Sequence, residues 1–201
     1  SADEAEPRYR LLESPRAYAL EKLAAAGEEK TIRARHAAST AKRWTIAYEQ
    51  RQSGLVGIDE WVRRLEPDLD NARAAFAWGC EHDASTAVAI APALLKMLAT
   101  DGVARLAVCD AVESVLEDES LSALQRARLR LQGPPGLPAQ RALEWAKRSV
   151  ELFCSIGDAT GRFEALGRLA WAAGVTGDGE AAKAAVAEMD SLLAAPAAPL
   201  L

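Results

Sequence analysis

A glycine-rich stretch near the C-terminus, GVTGDGE over residues 174–180, has the composition of a loop that could cradle a phosphate group. A phosphate-binding loop of the P-loop type continues into Lys and then Ser or Thr, which hold the phosphates and their metal ion. Here Ala181 and Ala182 follow instead. Because helical patterns flank the stretch on both sides, we interpret it as a turn between two helices.

Histidine and cysteine side chains are the next candidates for metal ligation or nucleophilic chemistry. His36 and His82 are the only two histidines and show neither HxxxH nor HExxH spacing. The three cysteines, Cys80, Cys109 and Cys154, are odd in number and contain no CxxC pair. We therefore expect free thiols, a reducing cytoplasmic location and no metal site.

A group of polar side chains, Asp68, Asp70 and Asn71, follows Pro67 and has the oxygen chemistry of a cation site. Its place at the start of a predicted helix favours another interpretation, because carboxylates in a first turn stabilise the positive helix terminus. We expect these residues to cap the helix. With no catalytic constellation in view, the chain is predicted not to be an enzyme and to bind no cofactor.

Composition favours helices. The 201 residues are 50% hydrophobic and only 5% aromatic, alanine is abundant, and β-branched runs are scarce. The net charge of −5 disfavours wrapping a phosphate backbone. Residues 28–53 are locally basic, which we interpret as solvated helix surface.

The ends of the chain suggest a part of a longer protein. It opens on Ser1, so we expect an excised segment, and its acidic start, SADEAEP, predicts no secretory signal. The longest uncharged run, Ala84 to Leu95, is shorter than the roughly 20 residues that cross a bilayer.

The first third of the chain predicts an extended segment over 8–13 and then a helix over 15–26, capped by Ser14 and ended by Gly27. Pro15 suits the first helical position. The apolar face of this helix comprises Ala17, Leu20, Leu23 and Ala24.

Residues 28–52 predict a long amphipathic helix. Its stripe comprises Ile32, His36, Ala37, Ala41, Trp44, Ala47 and Tyr48. A second apolar pattern over 58–81 is interrupted by Pro67, which either starts a new helix after Glu66 or kinks one long helix.

Two helix pairs follow, 84–100 with 103–118 and 121–132 with 139–155. Pro92 is expected to bend the first of these helices. In the first pair, the residues expected to face one another are Val88, Leu94, Leu95 and Leu98 on one helix and Leu106, Val112, Val115 and Leu116 on the other. Among five tryptophans, the four expected in the core are Trp44, Trp61, Trp78 and Trp145.

Residues 161–193 resemble one tetratricopeptide-type helical hairpin, with a turn at Gly177–Asp178. The positions that carry the resemblance are Leu166, Leu169 and Ala170, then Ala182, Val186 and Met189. The resemblance implies neighbours, because one such hairpin cannot bury both faces. The predicted fold is all-α: antiparallel helix hairpins stacked as a tetratricopeptide-like right-handed superhelix, after a short N-terminal extended segment.

The same resemblance places Trp171, Glu164 and Arg168 on the first-helix face that lines a concave groove, where such arms bind partner peptides. These three residues are the predicted partner-binding residues. Alternatively, Trp171 packs against the segment leading into PAAPLL.

Residues 8–23, RYRLLESPRAYALEKL, and 65–78, LEPDLDNARAAFAW, resemble the region that follows the ATPase module in large bacterial transcriptional regulators of the signal-transduction ATPase class. The resemblance implies a winged-helix or linker remnant over 1–27, joining helices over 28–83 and repeats over 84–201. ATP or ADP would bind only the module upstream of this chain.

The implied function is a sensor or protein-interaction arm that neither binds DNA nor catalyses a reaction. Its partners would be a protein or small effector on the groove and the ATPase module of the same polypeptide, with no membrane contact. Two alternatives stay open: a homo-oligomerisation module, using the 28–52 stripe or the groove, and a small-ligand effector domain. An all-helical enzyme using unlinked carboxylates is a further class.

Overall fold

The computed structural model describes residues 13–132 and 137–194. Within these ranges the chain forms ten α-helices, one 3-10 turn and no strand, which confirms the all-α prediction. The helices are α1 (Glu13–Ala25), α2 (Glu29–Gln52), α3 (Ile58–Leu65), α4 (Leu69–His82), α5 (Ala84–Met97), α6 (Gly102–Val115), α7 (Ala123–Leu131), α8 (Ala139–Ile156), α9 (Ala159–Thr176) and α10 (Gly179–Ala194), with the 3-10 turn at Glu66–Asp68.

Helix α1 begins at Glu13, two residues before its predicted start, so Ser14 and Pro15 lie inside it. The extended segment predicted before it otherwise falls outside the described residues. Gly27 ends the helix as predicted, with a φ of +70°. The backbone N–H of Glu28 donates a hydrogen bond to the Leu23 carbonyl. Three residues of the predicted apolar face, Ala17, Leu20 and Ala24, are exposed, and Leu23 is partly buried.

Helix α2 is the central element of the core and packs against α4 and α5. Ala37, Ala41 and Trp44 are buried, which confirms the middle of the predicted stripe, while Ile32 and His36 at its start are exposed. Small residues at the buried positions let the neighbouring helices approach closely.

Pro67 separates two helices, and the kinked single helix is excluded. Pro67 lies in the 3-10 turn. Because it lies outside α3 and α4, its missing backbone N–H costs neither helix a hydrogen bond. Asp68 occupies the N-cap position of α4 and Asp70 lies in its first turn, as predicted for carboxylates at the positive terminus, but the Asp68 side chain accepts no cap hydrogen bond. Its carboxylate is buried and accepts hydrogen bonds from Trp44 Nε1 at 3.0 Å and Asn71 Nδ2 at 2.8 Å, and Arg43 pairs with it at 2.8 Å.

Helix α5 is the most buried element and pairs with α4 and α2 more than with α6, its predicted partner. Leu106, expected to face α5, is 40% exposed. The close pairing with α4 depends on Gly79, where a Cβ atom would lie 2.7 Å from the backbone nitrogen of Ala87. Pro92 lies inside α5, which continues to Met97, and the bend expected there stays a prediction.

The last four helices, α7 to α10, pack each against the next in chain order. The turns at Gly157 and Gly177 adopt φ values of +73° and +82°, which a residue without a Cβ atom adopts freely. The turn interpretation of residues 174–180 is therefore confirmed. On α10 the predicted face is partly wrong, since Ala185 is buried and Val186 is 48% exposed.

One large apolar cluster joins α2 through α6, with contributions from Leu129 and Trp145, and two smaller clusters lie among α7 to α10. The large cluster includes side chains on both sides of the predicted boundary between residues 83 and 84, and the division into three segments stays a prediction. None of the described helices combines the length and apolarity needed to cross a membrane.

Candidate functional site

A cleft of about 350 Å³ lies where the C-terminal ends of α2 and α7 meet the middle of α9. Its lining residues are Gln52, Leu131, Gln132, Glu164, Gly167 and Arg168, and we call it the α9 cleft. Leu131 is the one large apolar side chain in this set, so the cleft offers hydrogen-bonding and charged groups. Two of the three predicted partner-binding residues, Glu164 and Arg168, are brought together here.

Gln132 is held in place by Tyr48. The Tyr48 hydroxyl donates a hydrogen bond to Gln132 Oε1. Burial raises the pKa of Tyr48 to about 12, although nearby Arg168 acts in the opposite direction, so the phenol stays protonated at neutral pH. A protonated phenol that donates to Oε1 leaves the amide NH₂ of Gln132 available for other partners.

Arg168 lines the cleft, and two further cations, Lys96 and Arg51, lie next to its lining residue Gln52. Lys96, in the last turn of α5, places Nζ 3.4 Å from Gln52 Oε1. Burial lowers the pKa of Lys96, and the positive charges of Arg51 and Arg168 lower it further. Lys96 is therefore close enough to Arg51 and to Arg168 for their charges to act on it.

None of the three cations has an ion-pair partner within 4 Å among the described residues. The Nε atom of Arg51 is buried and has no hydrogen-bond partner among the residues that the structure describes. Glu164 precedes Arg168 by four residues on α9, a spacing that favours pairing, yet the two side chains form no ion pair. Apart from the Glu164 carboxylate, which lines the cleft without a direct ion pair, no acidic side chain of the described residues lines this cleft.

Trp171, the third predicted partner-binding residue, does not line the α9 cleft. It is 56% exposed, as is Val175 one turn later. The spacing of Glu164, Arg168, Trp171 and Val175 places all four along one side of α9. An exposed apolar surface therefore adjoins the cleft along the same helix.

A second cleft of about 520 Å³ lies between α6, α7 and α8, and Glu113 and Trp145 are among its lining residues. Arg141 pairs with Asp110 at 2.6 Å and Glu113 at 2.8 Å, and the Trp145 indole N–H also donates to Glu113. Burial raises the pKa of Glu113, but the hydrogen bonds from Arg141 and Trp145 outweigh it and hold that pKa below its usual range. These four groups satisfy one another and join α6 to α8.

The histidines, cysteines and acidic residues considered as metal ligands do not come together. Among the described residues, no group of three or more such side chains could hold a metal ion. All three cysteines are free thiols, and burial raises the pKa of Cys80 and of Cys109 to about 11. Trp44, Trp61 and Trp145 are buried as predicted. Trp78 is partly buried and stacks on His82 with ring centres 5.0 Å apart.

Four residues of the cleft region went unrecognised in the sequence: Gln52, Gln132, Lys96 and Arg51. Arg51 was included in the basic stretch interpreted as solvated surface. A signal was present, because Arg51 and Lys96 each lie in the last turn of a predicted helix, where cations favour the negative terminus. Sequence spacing alone did not show that the two helix ends meet.

The fold is thus that of an all-helical protein with a polar cleft, lined by Glu164 and Arg168, between helix ends. Two proteins from Mycobacterium tuberculosis strains and one from Mycobacterium bovis, each provisionally named an HTH-type transcriptional regulator, are 44% identical to this chain over 79 residues. The match covers 37% of this chain and 8% of each relative, so the chain corresponds to a small part of their length. No family model and no solved structure matches the chain.

Proposed function

We propose that this chain is a helical regulatory arm of a larger cytoplasmic transcriptional regulator, neither catalytic nor DNA-binding itself. The observation that carries the proposal is the α9 cleft with the exposed Trp171 beside it, a polar site next to an apolar surface on one helix. The partial similarity to much longer proteins named as transcriptional regulators supports it. The net charge of −5 argues against direct contact with DNA.

The arm would act by binding an effector or partner better in one state of the regulator than in another, which shifts the populations of those states. The successive packing of α7 to α10 is what a tetratricopeptide-like superhelix would require. In that arrangement Glu164, Arg168 and Trp171 contact the partner. An ATPase module elsewhere in the polypeptide, binding ATP or ADP, is the proposed target of the arm.

The experiment compares Trp171→Ala with Val103→Ala in the full-length regulator, using a transcriptional reporter. Both side chains are exposed, Val103 at 84%, so both variants should fold. Trp171→Ala should change the response of the reporter by at least about fivefold, as expected for loss of a coupling contact. Val103→Ala should leave the response unchanged.

Two outcomes would contradict the proposal. One is a reporter response that is the same for the Trp171→Ala variant and for the unaltered regulator. The other is salt-dependent binding of duplex DNA by the 201-residue chain alone, measured by fluorescence anisotropy at low ionic strength, because a direct DNA contact would replace the indirect role.

Self-association is the second candidate function. Trp171 and Val175 form an exposed apolar surface that a second copy of the chain could cover as readily as a different partner. Light scattering at high protein concentration separates the two, since a strict monomer removes self-association. A dimer that Trp171→Ala dissociates would support it.

A further inference from the structure

We infer that the α9 cleft binds a small organic anion, whose carboxylate or phosphate group is held by Arg168, Lys96 and Arg51. This inference rests on the proposed regulatory function and names the chemical class of its effector. The amides of Gln52 and Gln132 would bind the polar remainder of the ligand.

The first argument is charge. The whole chain carries a net charge of −5, yet Arg168 lines this cleft and Lys96 and Arg51 lie beside it, and among the described residues Glu164 is the only acidic one that lines it. Like charges in proximity cost free energy unless a counter-ion compensates them. An anion in the cleft would supply that compensation, and it would restore the lowered pKa of Lys96 toward its ordinary value.

The second argument is unused hydrogen-bonding capacity. Arg51 has a buried Nε atom with no partner among the described residues, and buried donors are nearly always bonded. The guanidinium of Arg168 lines the cleft without a carboxylate partner. Guanidinium groups bind carboxylate and phosphate oxygens in pairs, which gives orientation as well as affinity.

The third argument is positioning. Gln52 Oε1 lies near Lys96 Nζ, and Tyr48 fixes the Gln132 amide, so the polar groups come from three different helices held by the core. Gly167 contributes no side chain to the wall between Glu164 and Arg168. The volume of about 350 Å³ lies within the range of small-molecule sites, at its lower end.

The competing explanation is that the cations only compensate helix ends. Arg51 and Lys96 do lie in the last turns of α2 and α5, where the partial negative charge attracts cations. Arg168 lies in the interior of α9, far from either terminus, and this explanation does not account for it. The two explanations also differ in their response to added anions.

The test titrates the full 201-residue chain with citrate and, separately, with inorganic phosphate, by calorimetry and by thermal shift at constant ionic strength. At least one anion should bind with a dissociation constant of about 1 mM or tighter. Citrate alone indicates a carboxylate ligand, phosphate alone indicates a phosphate ligand, and either result supports the inference.

Arg168→Gln and Lys96→Gln should each weaken binding by about tenfold, the loss of one charge-assisted contact. Matched controls are Arg35→Gln and Lys42→Gln, which remove the same charges from exposed positions of α2 and should change affinity by less than about twofold. Equal effects in all four variants, or no binding of either anion, would overturn the inference. The regulatory proposal would survive that result if Trp171→Ala still altered the reporter.

Discussion

Trp44 donates its indole N–H to Asp68 Oδ2 at 3.0 Å, and this buried bond ties the middle of α2 to the turn that starts α4. Asp68 is 6% exposed and Trp44 is fully buried. Asn71 and Arg43 supply the other contacts of the carboxylate, so the buried charge is satisfied on every side that the structure describes. The position of α2 against α4 therefore depends on a polar contact inside an apolar core.

Replacing Asp68 by Ala should lower the free energy of unfolding by about 2 to 3 kcal/mol, because the Trp44 N–H is left buried without an acceptor. Asp70→Ala is the matched control, since that side chain is 98% exposed, and it should change stability by less than about 0.5 kcal/mol. Urea denaturation at pH 7 measures both. Equal effects of the two substitutions would show that the buried contact contributes nothing.

Local signals in the sequence predicted helices and turns well. Gly177 and the apolar stripe through Ala37, Ala41 and Trp44 are cases in which the deciding interactions are near in sequence. The fate of Asp68 could not be predicted in this way, because its partner Trp44 lies 24 residues away and a cap is the local alternative.

The residues of the candidate site also fall into those that the sequence predicts and those that only the packing of distant helices brings near. Glu164 and Arg168 are predicted from the tetratricopeptide resemblance, whereas Arg51 and Lys96 come near them only through the packing of three helix ends. Burial of Ala185 in place of Val186 has a similar origin, since contact with α9 decides which side of α10 is covered. Helix periodicity fixes the width of a face but leaves its rotation open by one residue.

Gly79→Ala should destabilise the chain by about 1 to 3 kcal/mol, because the added methyl group would meet the Ala87 backbone and force α4 and α5 apart. Gly174→Ala, at a helical position with nothing within 4 Å, should instead stabilise the chain by up to about 1 kcal/mol. Thermal unfolding of the two variants checks both signs. A stabilising Gly79→Ala would mean that α4 and α5 do not approach as closely as described.

The three thiols should react with iodoacetamide at different rates. Cys154 is exposed and should be alkylated first at pH 8, whereas Cys80 and Cys109 should react slowly because burial raises the pKa of each to about 11. Mass spectrometry of timed samples identifies the modified residues. In urea all three should react at similar rates, and early modification of Cys109 in the folded chain would contradict its burial.

Glu113 should contribute to stability at neutral pH and lose that contribution in acid. Its pKa is lowered in the folded state, so the contribution is present above the ordinary carboxyl pKa and disappears as the pH falls through the lowered value. Glu113→Gln should cost less than about 1 kcal/mol at pH 7, because solvent screens a side chain that is 41% exposed, and should flatten the acid branch of the stability curve. Glu144 is an exposed residue of the same cleft. Glu144→Gln should change neither the stability at pH 7 nor the acid branch of the curve.

Tyr48→Phe tests how much the orientation of Gln132 contributes, independently of the charge of the α9 cleft. The substitution removes one hydroxyl and no charge. We expect a loss of about 1 kcal/mol in unfolding free energy at pH 7, because Gln132 Oε1 loses its donor. The pKa of Tyr48 is raised from 10.0 to about 12, so its contribution is complete below pH 10 and is lost as the pH rises through 12. The variant should therefore show a shallower alkaline decline over this interval.

Tyr18→Phe provides the control, because it removes the same hydroxyl from a side chain that is 61% exposed. Chemical denaturation between pH 7 and pH 12 gives the two curves, and identical alkaline branches in both variants would contradict the burial of the Tyr48 phenol. If the Gln132 amide helps to bind an anion, Tyr48→Phe should also weaken citrate or phosphate binding by about threefold, less than the loss of a cation. A purely structural bond would leave that affinity untouched, since the three cations stay in place.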